Sequence, residues 1–318
     1  MTLRARVGGD EVRRSYSICS APHEEKLAIA IKRVEGGVFS TWAHRTLVPG
    51  ASIDVAPPQG RFGTGPAPAR GRHVLAFAAG SGITPLLSIL KDTLATEPHS
   101  TFTLVYSNRA TSTTMFREEL LDLKDRYLDR FVLLFVMSRE QQDVPAFSGR
   151  IDGAKCDALF AGWIDATTVD TALVCGPFEM TEAVSAALRA HGLSQERIRT
   201  ELFAAGARPP RAAATSASES AGVVKAYVVA DGRRREFEIA RRNETVLQAG
   251  LRQGIDLPYS CTGGVCSTCR ALLVEGEVDM DVHYALEDYE IKRGYVLTCQ
   301  SYPVTDTIGI DFDAASQA

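Results

Sequence analysis

The sequence predicts a multidomain chain. A small β-rich domain opens it, a doubly wound α/β domain follows, and a small mixed α+β domain closes it. Three observations carry this. The first ~66 residues hold short apolar runs cut by glycine and proline. Residues 70–205 alternate strand-like runs with helix-period segments, the pattern of a parallel sheet covered on both faces. A stretch rich in Ala, Ser, Pro and Gly then separates a last segment carrying a distinctive set of cysteines. The expected divisions are 1–68, 69–205, a linker at 206–222, and 223–318. A chain of 318 residues has room for two or three domains.

In the first domain, residues 15–19 and 27–31 read as short strands, and residues 40–47 as a helix capped near Ser40 or Thr41. Such a mix suits a small barrel. Within Arg14-Ser15-Tyr16-Ser17, an extended backbone puts Arg14 and Tyr16 on one face and Ser17 on the other. A guanidinium there can fork onto a phosphate, a phenol can stack on a flat ring, and a serine can reach a ring-edge heteroatom. Val38, Phe39 and Ser40 lie where helix N-terminal amides can hold a pyrophosphate. Each feature alone is ordinary strand or helix sequence.

In the second domain, the apolar run 73–79 ends in Gly80-Ser81-Gly82-Ile83-Thr84-Pro85, with a helical pattern after it. Thr84 can cap that helix, and Pro85 suits its first turn. Glycines at a strand end bring backbone close to a phosphate. Cys175-Gly176-Pro177 ends another strand and faces the same crevice if both strands are central. Read alone, Gly80-Ser81-Gly82 is also a plausible tight turn and Cys175 a plausible core thiol. Arg109 follows the strand 101–106, where dinucleotide folds discriminate the ribose. A base there, with Arg117 on the next helix, favours the 2′-phosphate of NADPH over NADH.

The third domain starts with two strands around Asp231-Gly232, a hairpin signal, and a helix over 245–253. Then comes Cys261-Thr262-Gly263-Gly264-Val265-Cys266-Ser267-Thr268-Cys269, with Cys299 on a later strand. The C-x4-C-x2-C…C spacing is that of a plant-type [2Fe–2S] cluster. Two irons sharing two sulfides need four thiolates from a small arc, and Gly263 and Gly264 let the loop wrap closely. A zinc site would pair the C-x2-C with a second one or with two histidines, and His283 stands alone. Seven cysteines in 318 residues is too sparse for a disulfide framework.

Charge and hydropathy exclude other classes. The net charge of −4 is concentrated after residue 222, so a basic nucleic-acid face is disfavoured. No apolar run suits a membrane span, and no secretory signal opens the sequence, so a soluble cytoplasmic protein is expected. An acidic run (Glu275, Glu277, Asp279, Asp281, Glu287, Asp288 and Glu290) reads either as a solvated face or as a surface that steers a basic partner.

These stretches, with Pro58-Gln59-Gly60-Arg61-Phe62-Gly63 and Glu201-Leu202-Phe203, together resemble the ferredoxin–NADP reductase superfamily fused to a C-terminal plant-type ferredoxin domain. The likeness spans nearly all of residues 1–313. Within that family it is most similar to the reductase subunits of phenylacetyl-CoA epoxidase complexes. The resemblance implies a flavin-binding antiparallel β-barrel, a nucleotide-binding domain and a β-grasp-like ferredoxin domain. The family's barrel begins with two further strands before the position of Leu3, so an N-terminally incomplete barrel is implied. By position, Arg14, Tyr16 and Ser17 would serve FAD (or FMN), with Ser17 and Cys175 near hydride transfer. Val38, Phe39 and Ser40 would lie near the pyrophosphate. Gly80, Ser81, Gly82, Thr84, Cys175 and Gly176 would take the nicotinamide nucleotide, and Phe203 would flank the flavin. Cys261, Cys266, Cys269 and Cys299 would hold the cluster. The implied partner is an oxygenase, a di-iron acyl-CoA epoxidase on the nearest likeness, with an aromatic-ring dioxygenase or alkane hydroxylase as the alternative. A non-enzymatic iron–sulfur sensor is disfavoured by the flavin and nucleotide motifs.

Overall fold

The computed structural model describes residues 1–65, 67–203, 222–241 and 244–316. The linker expected at 206–222 lies outside them up to residue 221. Two compact units emerge. One gathers Met1, Tyr16–Ala51 and Arg61–Gly206; the other gathers Thr2–Ser15, Ser52–Gly60 and Ala207–Ala318.

The chain begins with an antiparallel hairpin, β1 (Thr2–Val7) and β2 (Asp10–Ser15), in register from Thr2 against Ser15 to Val7 against Asp10. Gly8 and Gly9 make its turn at φ of 64° and 97°, a conformation costly for any side chain. Helix α1 (Val38–Thr46) follows, and β3 (Asp54–Val55) pairs with the free edge of β1. The strands expected at 15–19 and 27–31 shrink to a single bridge between Ile18 and Ile29. Ser20 Oγ there accepts the Ala28 amide at 2.9 Å, replacing a ladder bond with a side-chain one.

The first unit is built on five parallel strands in the order β6-β5-β4-β7-β8, namely β4 (His73–Ala79), β5 (Thr101–Asn108), β6 (Phe131–Met137), β7 (Thr171–Gly176) and β8 (Ile198–Leu202). Alternation along β4 explains the layering. Val74, Ala76 and Ala78 pack with α2 (Ile83–Thr96) and α3 (Arg117–Arg126). Leu75 and Phe77 face α4 (Gly153–Gly162) and α5 (Phe178–Ala190). Both faces are buried, as a parallel sheet requires. The strand order reverses at β4, so the crevice between the carboxyl ends of β4 and β7 is where ligands sit in such folds.

In the second unit, β9 (Val223–Ala230) and β10 (Arg233–Ala240) form the hairpin expected at Asp231-Gly232, both at positive φ. Helix α6 (Val246–Arg252) is capped by Thr245, whose Oγ1 accepts the Gln248 amide while Gln248 Oε1 accepts the Thr245 amide. Beyond it lie β11 (Arg270–Glu275), β12 (Val278–Met280), α7 (Asp288–Lys292), β13 (Tyr295–Leu297), β14 (Ser301–Pro303), β15 (Thr307–Asp311) and α8 (Phe312–Ser316). The main sheet runs β10-β9-β15-β11-β13, with β15 parallel to β9, and β12 pairs with β14. Cys269 and Cys299 are part of its hydrophobic core, so the cysteine loop is anchored in packed structure at its carboxyl end.

Candidate functional site

In the first unit, β4 ends in a short 3-10 turn, Gly80–Gly82, leading into α2. Gly80 adopts φ of 54°, and its carbonyl accepts the Tyr106 hydroxyl at 2.8 Å. A Cβ on Gly82 would lie 2.2 Å from the Cys175 carbonyl oxygen, and one on Gly176 would strike Met180. The turn after β4 therefore approaches the end of β7 closely only because Gly82 lacks a side chain. Thr84 does not cap the helix. It is buried inside the first turn, with Oγ1 donating to the Ser81 carbonyl at 3.0 Å, and Gly82 takes the cap position. Pro85 is the third helical residue, still within the turn where its missing N–H costs nothing.

Cys175, fully buried at the end of β7, places Sγ 4.0 Å from Glu201 Oε2. Burial pushes its thiol well above the usual range. Ser17 Oγ donates to the same carboxylate oxygen at 3.3 Å. Glu201 is half-buried as a residue, but its carboxyl group is densely surrounded, and desolvation raises its pKa to about 7. Glu201 was visible in the sequence only as part of a motif. Its meeting with Ser17, 184 positions away, is a tertiary fact. Phe203, just beyond β8, is 40% exposed.

Tyr16 packs on Phe39 with ring centroids 5.9 Å apart, and Phe39 is buried. Helix α1 begins two residues earlier than expected, at Val38, with Gly37 as its cap. Ser40 lies inside the first turn, accepting the Val34 amide at 3.1 Å. A Cβ on Gly37 would meet Ser40 Oγ at 2.7 Å, which explains the cap residue. With no acid in its first turn and no side-chain cap, the helix keeps a positive N-terminal end that suits an anion. Val38 is exposed there.

Arg109 is exposed at the end of β5, and its carbonyl accepts the Arg139 amide at 2.8 Å. Arg139 is exposed too, so two guanidiniums leave adjacent strand ends. The sequence pattern pointed only to the first. Arg117 is engaged otherwise, paired with Glu118 at 2.8 Å.

In the second unit, Arg14 is exposed on β2, with Nη1 donating to the Arg13 carbonyl at 2.7 Å. The four cysteines of the loop and β13 end form two thiol pairs. Cys261 is hydrogen-bonded to Cys266, which is held below the usual thiol range while Cys261 is raised. Cys269 and Cys299 make the second pair, with Cys299 lowered and Cys269 raised by their mutual bond. The Cys261 amide donates to Cys266 Sγ and the Gly263 amide to Cys261 Sγ, both at 3.4 Å. Gln300 Nε2 reaches Cys299 Sγ at 3.5 Å. Among the described residues, no group of three or more His, Cys, Asp or Glu is arranged to hold a single ion. Two pairs are the donor set that two bridged irons need, two thiolates to each. The residues fit such a group, and the loop amides already aim at sulfur. Gly264 sits at φ of 74°, and a Cβ there would fall 2.6 Å from Val282 Cγ2.

One member of the acidic run is not on the surface. Glu290 is 3% exposed and paired with Arg270, because the turn into α7 folds it back as a capping-box residue.

The comparisons agree with this architecture. Profiles of an oxidoreductase FAD-binding domain match residues 1–63, an oxidoreductase NAD-binding domain residues 77–186, and a 2Fe-2S iron-sulfur cluster binding domain residues 228–304. The chain belongs to the ferredoxin–NADP reductase-like oxidoreductases that carry a [2Fe–2S] ferredoxin domain. It is 43% identical to one of the subunits of the 1,2-phenylacetyl-CoA epoxidase of Escherichia coli, over all of this chain and 88% of that one. It is 32% identical to the ferredoxin reductase component of the 3-ketosteroid-9-alpha-monooxygenase of Rhodococcus rhodochrous, covering 95% of this chain and 83% of the relative. Phthalate dioxygenase reductase shares the fold at a TM-score of 0.53 and 23% identity, over 98% of this chain and 87% of that one. Among the described residues no helix is long and apolar enough to cross a membrane.

Proposed function

We propose that this chain is the reductase component of a cytoplasmic oxygenase system, drawing electrons from NADPH and delivering them singly to an oxygenase. The observation that carries this is the set Cys261, Cys266, Cys269 and Cys299, with loop amides aimed at its sulfurs, downstream of a nucleotide-binding domain in one chain. When bound, a flavin supplies the step between a two-electron hydride donor and a one-electron cluster. The domains proposed are a flavin barrel at 1–68, a nucleotide domain at 69–205, a linker at 206–222 and a β-grasp-like ferredoxin domain at 223–318.

The residues then have distinct tasks. Arg14 forks onto a flavin phosphate, and the Tyr16 ring, backed by Phe39, flanks the isoalloxazine. Val38, Phe39 and Ser40 offer the N-terminal amides of α1 to the pyrophosphate of FAD. Gly80, Ser81, Gly82 and Thr84, with Cys175 and Gly176, line the approach of the nicotinamide nucleotide. Arg109, with Arg139 beside it, receives the 2′-phosphate and favours NADPH over NADH. Phe203 covers the flavin ring. Glu201 holds a proton near neutral pH, and Ser17, within hydrogen-bond reach, orients it. Cys261, Cys266, Cys269 and Cys299 would hold the cluster.

For the acceptor, the 43% identity to the epoxidase component over the whole chain favours a di-iron acyl-CoA epoxidase acting on phenylacetyl-CoA. A second reading rests on the 32% identity to a reductase of a different monooxygenase. Anaerobic reduction of the reconstituted full chain with NADPH tests the core of the proposal. Flavin bleaching followed by a rhombic [2Fe–2S] EPR signal is expected, and no such signal after iron reconstitution overturns it. Electron delivery to purified epoxidase, measured against another oxygenase, separates the two acceptors.

A further inference from the structure

Arg13 lies on β2, one residue before Arg14, and its side chain is only 12% exposed. Its Nη2 meets Asp256 Oδ1 at 2.7 Å. Its Nη1 donates to the Leu257 carbonyl at 3.2 Å. The guanidinium stands 4.7 Å over the Tyr259 ring, and Glu11 holds it from its own strand at 2.7 Å. One side chain thus grips three of the four residues 256–259, which lead directly into Ser260 and Cys261. Burial opposes the charge, but Asp256 and Glu11 outweigh it and strengthen the protonated form.

A second contact fixes the same loop further on. Thr268, between Cys266 and Cys269, shares hydroxyl bonds with Thr2 at 3.2 Å and Ser15 at 3.4 Å. Thr2 and Ser15 bond each other at 3.0 Å across the end of the β1–β2 hairpin. The loop is therefore held on this hairpin at its start and in its middle.

We infer that Arg13 is a positioning residue that seats the cysteine loop on the β1–β2 hairpin and so sets how readily a bound cluster is reduced. This rests on the reading under Proposed function. When bound, the flavin and the cluster would supply the electron donor and acceptor, and Arg13 would only hold the cysteine loop in place. Arg13 is neither oxidised nor deprotonated. It acts by holding geometry within the second unit, where it fixes the backbone that runs directly into Ser260 and Cys261. A lysine could not reproduce this grip. Only a planar fork can pair with a carboxylate, donate to a carbonyl and lie over a ring at once.

The test uses the full chain with its cofactors, comparing wild type, Arg13→Ala and Arg13→Lys. Hydrogen exchange gives the first readout. In Arg13→Ala, amides at 11–15 and 256–260 should exchange about tenfold faster, with β9 and β10 unchanged, as expected for a local opening. Stopped-flow gives the second. The cluster-reduction phase should slow about tenfold while flavin bleaching by NADPH stays within about twofold, since a small misplacement acts on the transfer step alone. Arg13→Lys should fall with the alanine variant. Should Arg13→Ala fail to hold flavin, the double variant Asp256→Asn/Tyr259→Leu removes the other side of the grip and is read the same way. Unchanged exchange and an unchanged cluster phase overturn the inference, as does flavin bleaching that slows in proportion. If wild type itself shows no nucleotide-driven cluster reduction, the functional reading has failed, and the exchange data still decide whether Arg13 seats the loop.

Discussion

Ser17 Oγ donates to Glu201 Oε2 at 3.3 Å, joining two residues 184 positions apart through a carboxyl group whose surroundings hold its pKa up at about 7. A carboxyl raised above its unfolded value binds its proton more tightly in the folded state. Its effect is therefore absent below the unfolded pKa near 4.5, and stability is lost as pH rises from there to about 7. Glu201→Gln removes the titration. The variant should match wild type near pH 4.5 and exceed it at pH 8 by on the order of 3 kcal/mol, since each pKa unit carries about 1.4 kcal/mol. Urea unfolding of the two proteins across this range checks it. Equal stability at pH 8 would show that the carboxyl is not desolvated.

How much of this was legible beforehand follows from sequence distance. The cysteine loop could be read because its spacing is local chemistry, and the parallel sheet because each strand carries its own apolar run. The Ser17–Glu201 contact could not, since nothing near Ser17 names its partner. Ser40 was misplaced because a serine ahead of a helical pattern looks like a cap, whereas Gly37 and the Val34 amide settle the helix start. Glu290 looked like one more surface acid, because Arg270 lies twenty positions away on a different element. The strands expected after Ser15 lost to side-chain hydrogen bonding at Ser20, a competition that residue propensities do not show.

The buried partnership of Glu290 and Arg270 has a distinct energetic signature. Glu290 is 3% exposed, and Arg270 also donates to the Ala315 carbonyl at 2.8 Å. Glu290→Ala leaves a buried guanidinium without its carboxylate, which should cost about 3–5 kcal/mol. Asp288→Ala, in the same turn of α7 but exposed, should stay within about 0.5 kcal/mol of wild type, as most surface changes do. Thermal unfolding of the two variants side by side is the check.

Arg109 and Arg139 should govern nucleotide choice. Both are exposed at adjacent strand ends, with the Arg139 amide bonded to the Arg109 carbonyl. Replacing either by alanine should weaken NADPH about tenfold or more, the usual loss for a charged hydrogen bond of ~1.5–3 kcal/mol. NADH binding should change little. Equilibrium titration of both nucleotides against each variant measures the ratio, and a parallel loss of NADH affinity would contradict the assignment.

Gly264 makes the cysteine loop possible. It holds φ of 74°, and a Cβ would sit 2.6 Å from Val282 Cγ2 and 3.2 Å from Gln300 Cγ. Gly264→Ala meets both obstacles at once, a strained backbone of ~1–3 kcal/mol and a clash that pushes Gln300 aside. Gln300 is the residue whose Nε2 reaches Cys299 Sγ at 3.5 Å and the Thr262 carbonyl at 2.8 Å. The variant should therefore keep its flavin and lose iron. Iron per chain should fall well below wild type after identical reconstitution, while NADPH-driven flavin bleaching persists. If Gly264→Ala loads iron as well as wild type, backbone strain at 264 is not what shapes the loop.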